Sequence, residues 1–312
     1  MAEVGHIWDR ELVLVTGKGG VGKTSVTAAL AKAAHRAGRR VLVGEVTPDT
    51  STVSNLLSLF GQPRPDSEDP IELAANLYGV RITPTIGHKL FLKAALKIGL
   101  LVDTAMRSAA LTRFLLAAPA FPEIGTFYQL VTLLRQKRYD HLILDLPATG
   151  HAIGLISLPK TVLRVLPAGL IGDAIKEGLE VLTNPKRTGA VLVTLPESLP
   201  VTESLELCDA MRHHQVAVRS MILNRMPAEP FSPLELQALD HHLAHRPGDR
   251  LLLGTKELRR LERALEARDL FRERVPPEVE RVEVPALEIK SQAAVVDHLA
   301  NALAAVRIGG AP

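Results

Sequence analysis

The sequence predicts an α/β fold, a doubly wound, mostly parallel sheet flanked by helices. Two observations carry that prediction. Six short apolar runs rich in β-branched residues recur along the chain, and they are continuous rather than alternating, as strands covered on both faces are. Longer stretches with helical punctuation lie between them, giving the strand-then-helix alternation that a covered parallel sheet requires. At 312 residues and 46% apolar composition, without a Gly/Ser-rich or Pro-rich linker, the chain is expected to form one domain over 1–312.

The elements follow in order. The first run is "LVLVTG" (12–17), and the helix after it, from Thr24 to about Ala37, is stopped by Gly38. "RVLVGEV" (40–46) is the second strand. From about 56 to 135 several helical patterns occur without a convincing buried strand, so a helical insertion is expected there. "HLILDLP" (141–147), "GAVLVTLP" (189–196), "SMILNR" (220–225) and "RVEVPAL" (281–287) complete the strands. Between the last two, Ser232, Pro233 and Glu235 are spaced as cap, first position and capping-box partner of a helix. The charged stretch 255–274 reads as a helix with one solvated face.

Composition excludes several classes. The 37 Lys+Arg against 34 Asp+Glu leave a charge of +3, too small a bias to mark a nucleic-acid surface. One cysteine, Cys208, excludes an internal disulfide framework and a multi-thiolate metal or metalloid site within one chain, and fits a reducing cytosol. The start "MAEVGHIWDR" carries charges where a secretion signal needs an apolar core. The most apolar region, 89–121, is interrupted by Lys93, Lys97, Asp103, Arg107 and Arg113, so no integral membrane span is expected. A cytoplasmic protein is the expectation.

"GKGGVGKT" (17–24) carries the chemistry. It fits the phosphate-loop pattern between a strand and a helix, where Gly19, Gly20, Val21, Gly22, Lys23, Thr24 and Ser25 can turn backbone N–H groups toward nucleotide phosphates. Lys23 is expected on the β- and γ-phosphates and the Thr24 hydroxyl on Mg²⁺, with ATP as the nucleotide. Asp145 ends a buried strand, where a carboxylate can hold Mg²⁺ through water.

Lys18 is not needed by the ordinary loop. With it the sequence resembles the deviant Walker A class "KGGxGK[ST]", shared by nitrogenase iron protein, the septum- and plasmid-positioning ATPases and the arsenical-pump/tail-anchored-protein-targeting ATPases. The resemblance implies that Lys18 reaches across a two-fold dimer to the partner's nucleotide. "DLPATGHAIGLISLP" (145–159) is similar to the "DTAPTGH…LP" signature of the pump/targeting branch, through Asp145, Thr149, Gly150, His151, Leu158 and Pro159. "PAFPEIGTF" (119–127) and "LPESLPVTESLEL" (195–207) resemble two further segments of that branch. Carried over, Asn224 contacts adenine and Pro285 belongs to the loop that closes the base pocket.

The pattern departs at one point. Where the branch has "DPAHNLSD", whose Asp orients the attacking water, this chain has "TPDTSTVSN" with Thr47 at the Asp position. Asp49 or Glu45 are the carboxylates that could substitute.

The resemblance implies an Mg-ATP-dependent dimeric ATPase, paired with itself or a paralogue as a nucleotide sandwich. Binding and hydrolysis would switch a conformation that controls a protein partner or client at the insertion, where "LFLKAALKIGLLVDTAMRSAALTRFLL" could line a groove. The alternatives are a nucleotide-gated scaffold with little hydrolysis, motivated by Thr47, and a positioning ATPase of the septum or plasmid type.

Overall fold

The computed structural model describes residues 5–65, 67–96, 121–165, 169–229, 231–244, 253–288 and 291–308. All six expected runs are strands: β2 (Leu12–Gly17), β3 (Val41–Val46), β6 (His141–Asp145), β7 (Thr188–Thr194), β8 (Val218–Met226) and β9 (Glu280–Pro285). With β4 (Ile71–Ala74) and β5 (Leu77–Ile82) they form an eight-stranded sheet ordered β4-β5-β3-β6-β2-β7-β8-β9. Only the β4–β5 pair is antiparallel. All of β2, β6 and β7 is buried, which is why their sequences do not alternate. A separate ribbon pairs β1 (Gly5–His6) with β10 (Arg307–Ile308).

Two apolar layers cover the sheet. On one face α1 (Lys23–Arg36) and α10 (Gln292–Ala304) lie over Val13, Val15, Val43, Ile143, Val191 and Val193. The opposite face, with Leu14, Leu42, Leu144 and Leu192, is covered by α4 (Phe121–Arg135), α5 (Thr149–Val165), α6 (Gly169–Thr183), α7 (Ser198–His213) and α9 (Leu253–Arg274). Short α2 (Asn55–Ser58) is capped by the Ser54 side chain, and α3 (Pro84–Leu96) follows β5 directly. Helix α8 (Pro233–Ala244) has its expected capping box: Glu235 accepts from the Ser232 N–H at 2.7 Å and its own N–H reaches Ser232 Oγ at 3.4 Å. On α9, Leu258, Leu261, Ala264, Ala267 and Phe271 form the buried stripe beneath a charged outer face.

The expected insertion over 56–135 needs one correction. Residues 71–82 within it are strands, and β5 is an integral parallel neighbour of β3. Its sequence "LYGVRI" hides this because Gly79 and Arg81 break the apolar run, while Leu77, Val80 and Ile82 alone are strongly buried and hydrophobic. Apart from the single turn of α2, helical structure in this stretch begins at Pro84. Residues 97–120, which hold most of the apolar stretch expected to line a client groove, lie outside the described residues. Among the described residues no helix is long and apolar enough to cross a membrane.

Candidate active site

The site lies at the carboxyl ends of the central strands, where open α/β sheets leave a crevice for ligands. β2 ends at Gly17 and α1 begins at Lys23, so Lys18 to Gly22 form the connecting loop. Gly22 caps α1 with φ 97°, and a Cβ there would stand 2.5 Å from Asn224 Nδ2. Only glycine meets both conditions. No side chain caps α1, so its first N–H groups remain available to an anion.

Register sets the charged groups in a row. Val15 stands level with Asp145, Asp145 with Glu45, and Glu45 with Arg81, across β2, β6, β3 and β5. The Thr24 hydroxyl donates to Asp145 Oδ2 at 2.6 Å, uniting the two residues expected at Mg²⁺. Asp145 is only 5% exposed, and its Oδ1 is buried without a hydrogen-bond partner. Burial pushes its carboxyl up to about 7; the Glu45 charge adds to this, while the Thr24 bond and Lys23 oppose it. A buried, half-satisfied carboxylate beside a hydroxyl fits a divalent cation, which would supply the missing positive charge. Lys23 Nζ donates to the Lys18 carbonyl at 2.9 Å, and burial, against the pull of Asp145, lowers its pKa.

The loop after β3 separates the two substitute carboxylates. Glu45 is buried and committed: it accepts from Ser54 Oγ and, at 3.4 Å, from the Leu56 N–H, and burial raises its pKa despite those bonds. Asp49 is exposed and accepts from the Thr85 N–H of α3 at 3.1 Å through Oδ1. Thr47 is buried, with its N–H on the Ile82 carbonyl and its hydroxyl 3.5 Å from Arg81 Nη2.

Lys18 is held within its own chain, its Nζ 2.9 Å from both carboxylate oxygens of Glu203 on α7. Asn224 ends up beneath the phosphate loop: its Nδ2 donates to the Val21 carbonyl at 2.8 Å, and no described residue bonds its Oδ1. Pro285 pairs with Met226 across the ends of β9 and β8, next to Asn224. The α5 start carries His151, exposed and 4.0 Å from Glu123 of α4. Cys208 is buried and its thiol is pushed up to about 11 by burial, which makes it inert. Among the described residues no group of three His, Cys, Asp or Glu could hold a metal.

The structure thus brings Lys23, Thr24, Asp145 and Asn224 to one loop, and turns Lys18 and Asp49 to partners of their own. Sequence reading missed Glu203, Arg81 and Gln129. Glu203 lies in a stretch already noted for its resemblance, but its pairing with Lys18 spans 185 residues. Arg81 and Gln129 lay in the supposed helical insertion, where no motif marked them.

A phosphate loop joining the central strand of a parallel sheet to its first helix, with a buried Asp one strand away, defines a P-loop ATPase. The family is equally definite: the model of the anion-transporting ATPases matches residues 10–171, just over half the chain, and this protein belongs to that family. It is 29% identical over 234 residues to the ATPase BagA of Mycobacterium tuberculosis, covering 72% of this chain and 68% of that one. The arsenical pump-driving ATPase of Escherichia coli is 30% identical over 198 residues, 57% of this chain and 33% of the pump protein. The ATPase ASNA1 homolog 1 of Paramecium tetraurelia is 30% identical over 147 residues, 47% of this chain and 43% of its own.

Proposed function

We propose that the protein is a cytoplasmic, Mg-ATP-dependent dimeric ATPase whose nucleotide state controls a protein partner or client. The observation that supports this best is the engagement of Lys18 by Glu203: the extra lysine of the loop sits near the surface on an ion pair that a competing phosphate can displace. In the dimer Lys18 exchanges Glu203 for the partner's nucleotide, so ATP closes the interface and release of phosphate restores the ion pair. Two copies of this chain or a paralogue complete the sandwich.

Within one protomer, the N–H groups from Gly19 to Ser25 and the Lys23 ammonium bind phosphate. Thr24 and Asp145 hold Mg²⁺, which when bound offsets charge on the phosphates. Asn224, through its free Oδ1, accepts from the adenine amine, with Pro285 flanking the base. Asp49 is the substitute for the carboxylate missing at Thr47, since its Oδ2 is unbonded among the described residues whereas Glu45 is buried on Ser54. It would accept a proton from the attacking water.

Coupling to the helices is supported by four contacts. Asp49 holds the first turn of α3, Glu123 of α4 faces His151, and Gln129 of α4 bonds the Thr83 N–H and the Arg81 carbonyl at 3.0 and 3.1 Å. Movement of either loop is therefore felt by α3 and α4.

The test compares steady-state hydrolysis and light-scattering mass of wild type and Lys18→Ala, each with and without Mg-ATP. Wild type is expected to turn over and double its mass with ATP, and Lys18→Ala to bind nucleotide while losing both. A wild type that binds ATP without turnover makes the protein a nucleotide-gated scaffold instead.

A further inference from the structure

Arg81 is a strong cation at this end of the sheet that the reading above leaves without a role. It belongs to the row Val15–Asp145–Glu45–Arg81, and residues 13, 15, 41, 43, 77 and 143 of those strands all pack in the apolar layer beneath α1. Arg81 therefore emerges on the same face as the phosphate loop, at the carboxyl ends of the strands.

Its bonds all go to one loop. Nη2 donates to the Ser51 carbonyl and lies 3.5 Å from the Thr47 hydroxyl, so the guanidinium holds residues 47–51 at both ends. The rest of its hydrogen-bonding capacity is unspent. Among the described residues Nε is buried with no partner, and Nη1 makes no hydrogen bond. Its charge is offset only in part: it helps to stabilise the Glu45 carboxylate on the neighbouring strand without forming an ion pair with it. The neighbouring Glu45 carboxylate is taken by Ser54 Oγ and the Leu56 N–H, and no carboxylate forms an ion pair with Arg81 among the described residues. A guanidinium carries five donors and cannot lose its proton, so unpaired donors in a half-buried place are costly unless an anion completes them.

We propose that Arg81 contacts the terminal phosphate of ATP from within the same protomer, carrying the 47–51 loop onto it. The ligand class follows from chemistry and place. Arg81 reaches the hydroxyl of Thr47, the position where the water-orienting carboxylate is missing, and an oxyanion with several acceptors suits its free N–H groups. Arg81 then holds the phosphate while bonded to the same loop that carries Asp49, the carboxylate assigned above to the water. Gln129, by bonding the Arg81 carbonyl, carries the same signal to α4. The inference rests on the reading that the loop at 17–24 binds ATP, and on nothing about the dimer.

The experiment titrates wild type and Arg81→Gln with a fluorescent β,γ-imido analogue of ATP and with ADP, in the presence of Mg²⁺. Arg81→Gln is expected to lose about tenfold in affinity for the triphosphate, the scale of a lost charge-assisted hydrogen bond, and to keep ADP affinity within about twofold. Arg81→Lys should recover most of the preference. The same titration in a Lys18→Ala background should show the same ratio, because a contact in cis survives loss of the dimer. If the ratio changes only when Lys18 is intact, Arg81 acts through the dimer and the proposal is wrong. Equal losses for both nucleotides, or none, also overturn it. Light-scattering mass on the same samples judges the dimer separately. Phenylglyoxal labelling of unmutated protein gives a second route: the Arg81 peptide should be protected by the ATP analogue and not by ADP, and equal labelling would sink the proposal.

Discussion

Asp145 concentrates the electrostatics of the site in one side chain. Its carboxyl stands at about 7 in the folded chain against an ordinary 3.8, chiefly through burial. Between those values the folded state binds more protons than the unfolded one, so this group's contribution to stability falls as pH rises and is fully adverse above about 7. Asp145→Asn should therefore raise the melting temperature of the nucleotide-free protein at pH 8 by a few degrees, shrinking toward zero as the pH is lowered to about 4, while abolishing Mg²⁺-dependent hydrolysis. Melts at both pH values check this; an increment that does not depend on pH would contradict the assignment. Lys18 and Glu203 make a second pair of residues with a measurable balance. Both are partly exposed, at 41% and 35%, so solvent screens the ion pair and it adds little to stability. Glu203→Gln should leave the melting temperature within about 1 °C and shift ATP-induced dimerisation to lower protein concentration, as read by light scattering. An unchanged midpoint would mean that releasing Lys18 costs nothing.

At the scale of elements, the crossing of α3 and α4 decides how the two switch segments reach the helices. Gly87 and Gly125 meet there, and a Cβ on Gly87 would stand 1.7 Å from the Gly125 carbonyl oxygen. Since backbone cannot give way as a side chain can, Gly87→Ala should force the helices apart and cost about 1–3 kcal/mol, seen as a lower denaturation midpoint. If the midpoint holds, the helices do not depend on that contact. Asp49 ties the loop after β3 to the first turn of α3, and Asp49→Ala should lose the cap, costing about 1 kcal/mol, together with the turnover assigned to that carboxylate. Asp49→Asn separates the two roles: it keeps an acceptor for the Thr85 N–H and removes the base. Hydrolysis that survives Asp49→Asn but falls with Asp49→Ala would make Asp49 a cap alone.

Across the whole molecule, two apolar layers hold a parallel sheet whose carboxyl edge gathers groups from residues 17 to 285. ATP binding is expected to change mass rather than secondary structure, because the phosphate loop and strands are already formed. Circular dichroism should stay constant while light scattering reports the dimer, and a large gain of helix with ATP would point to folding on binding instead. Six of the eight sheet strands were legible in the sequence because burial on both faces leaves an unbroken apolar run, and the loop at 17–24 was legible because phosphate binding imposes glycines and lysine at fixed spacing on contiguous residues. β5 was not, since Gly79 and Arg81 interrupt it and its place beside β3 arises only from pairing. The sequence by itself determined the fold class, the phosphate loop and the Thr47 departure, all written within single short segments. Only the tertiary structure decided that Lys18 rests on Glu203, that Glu45 is spent on Ser54, and that Arg81 grips the loop around Thr47. Those facts depend on strand order and register, which bring together residues with no local pattern to announce their meeting.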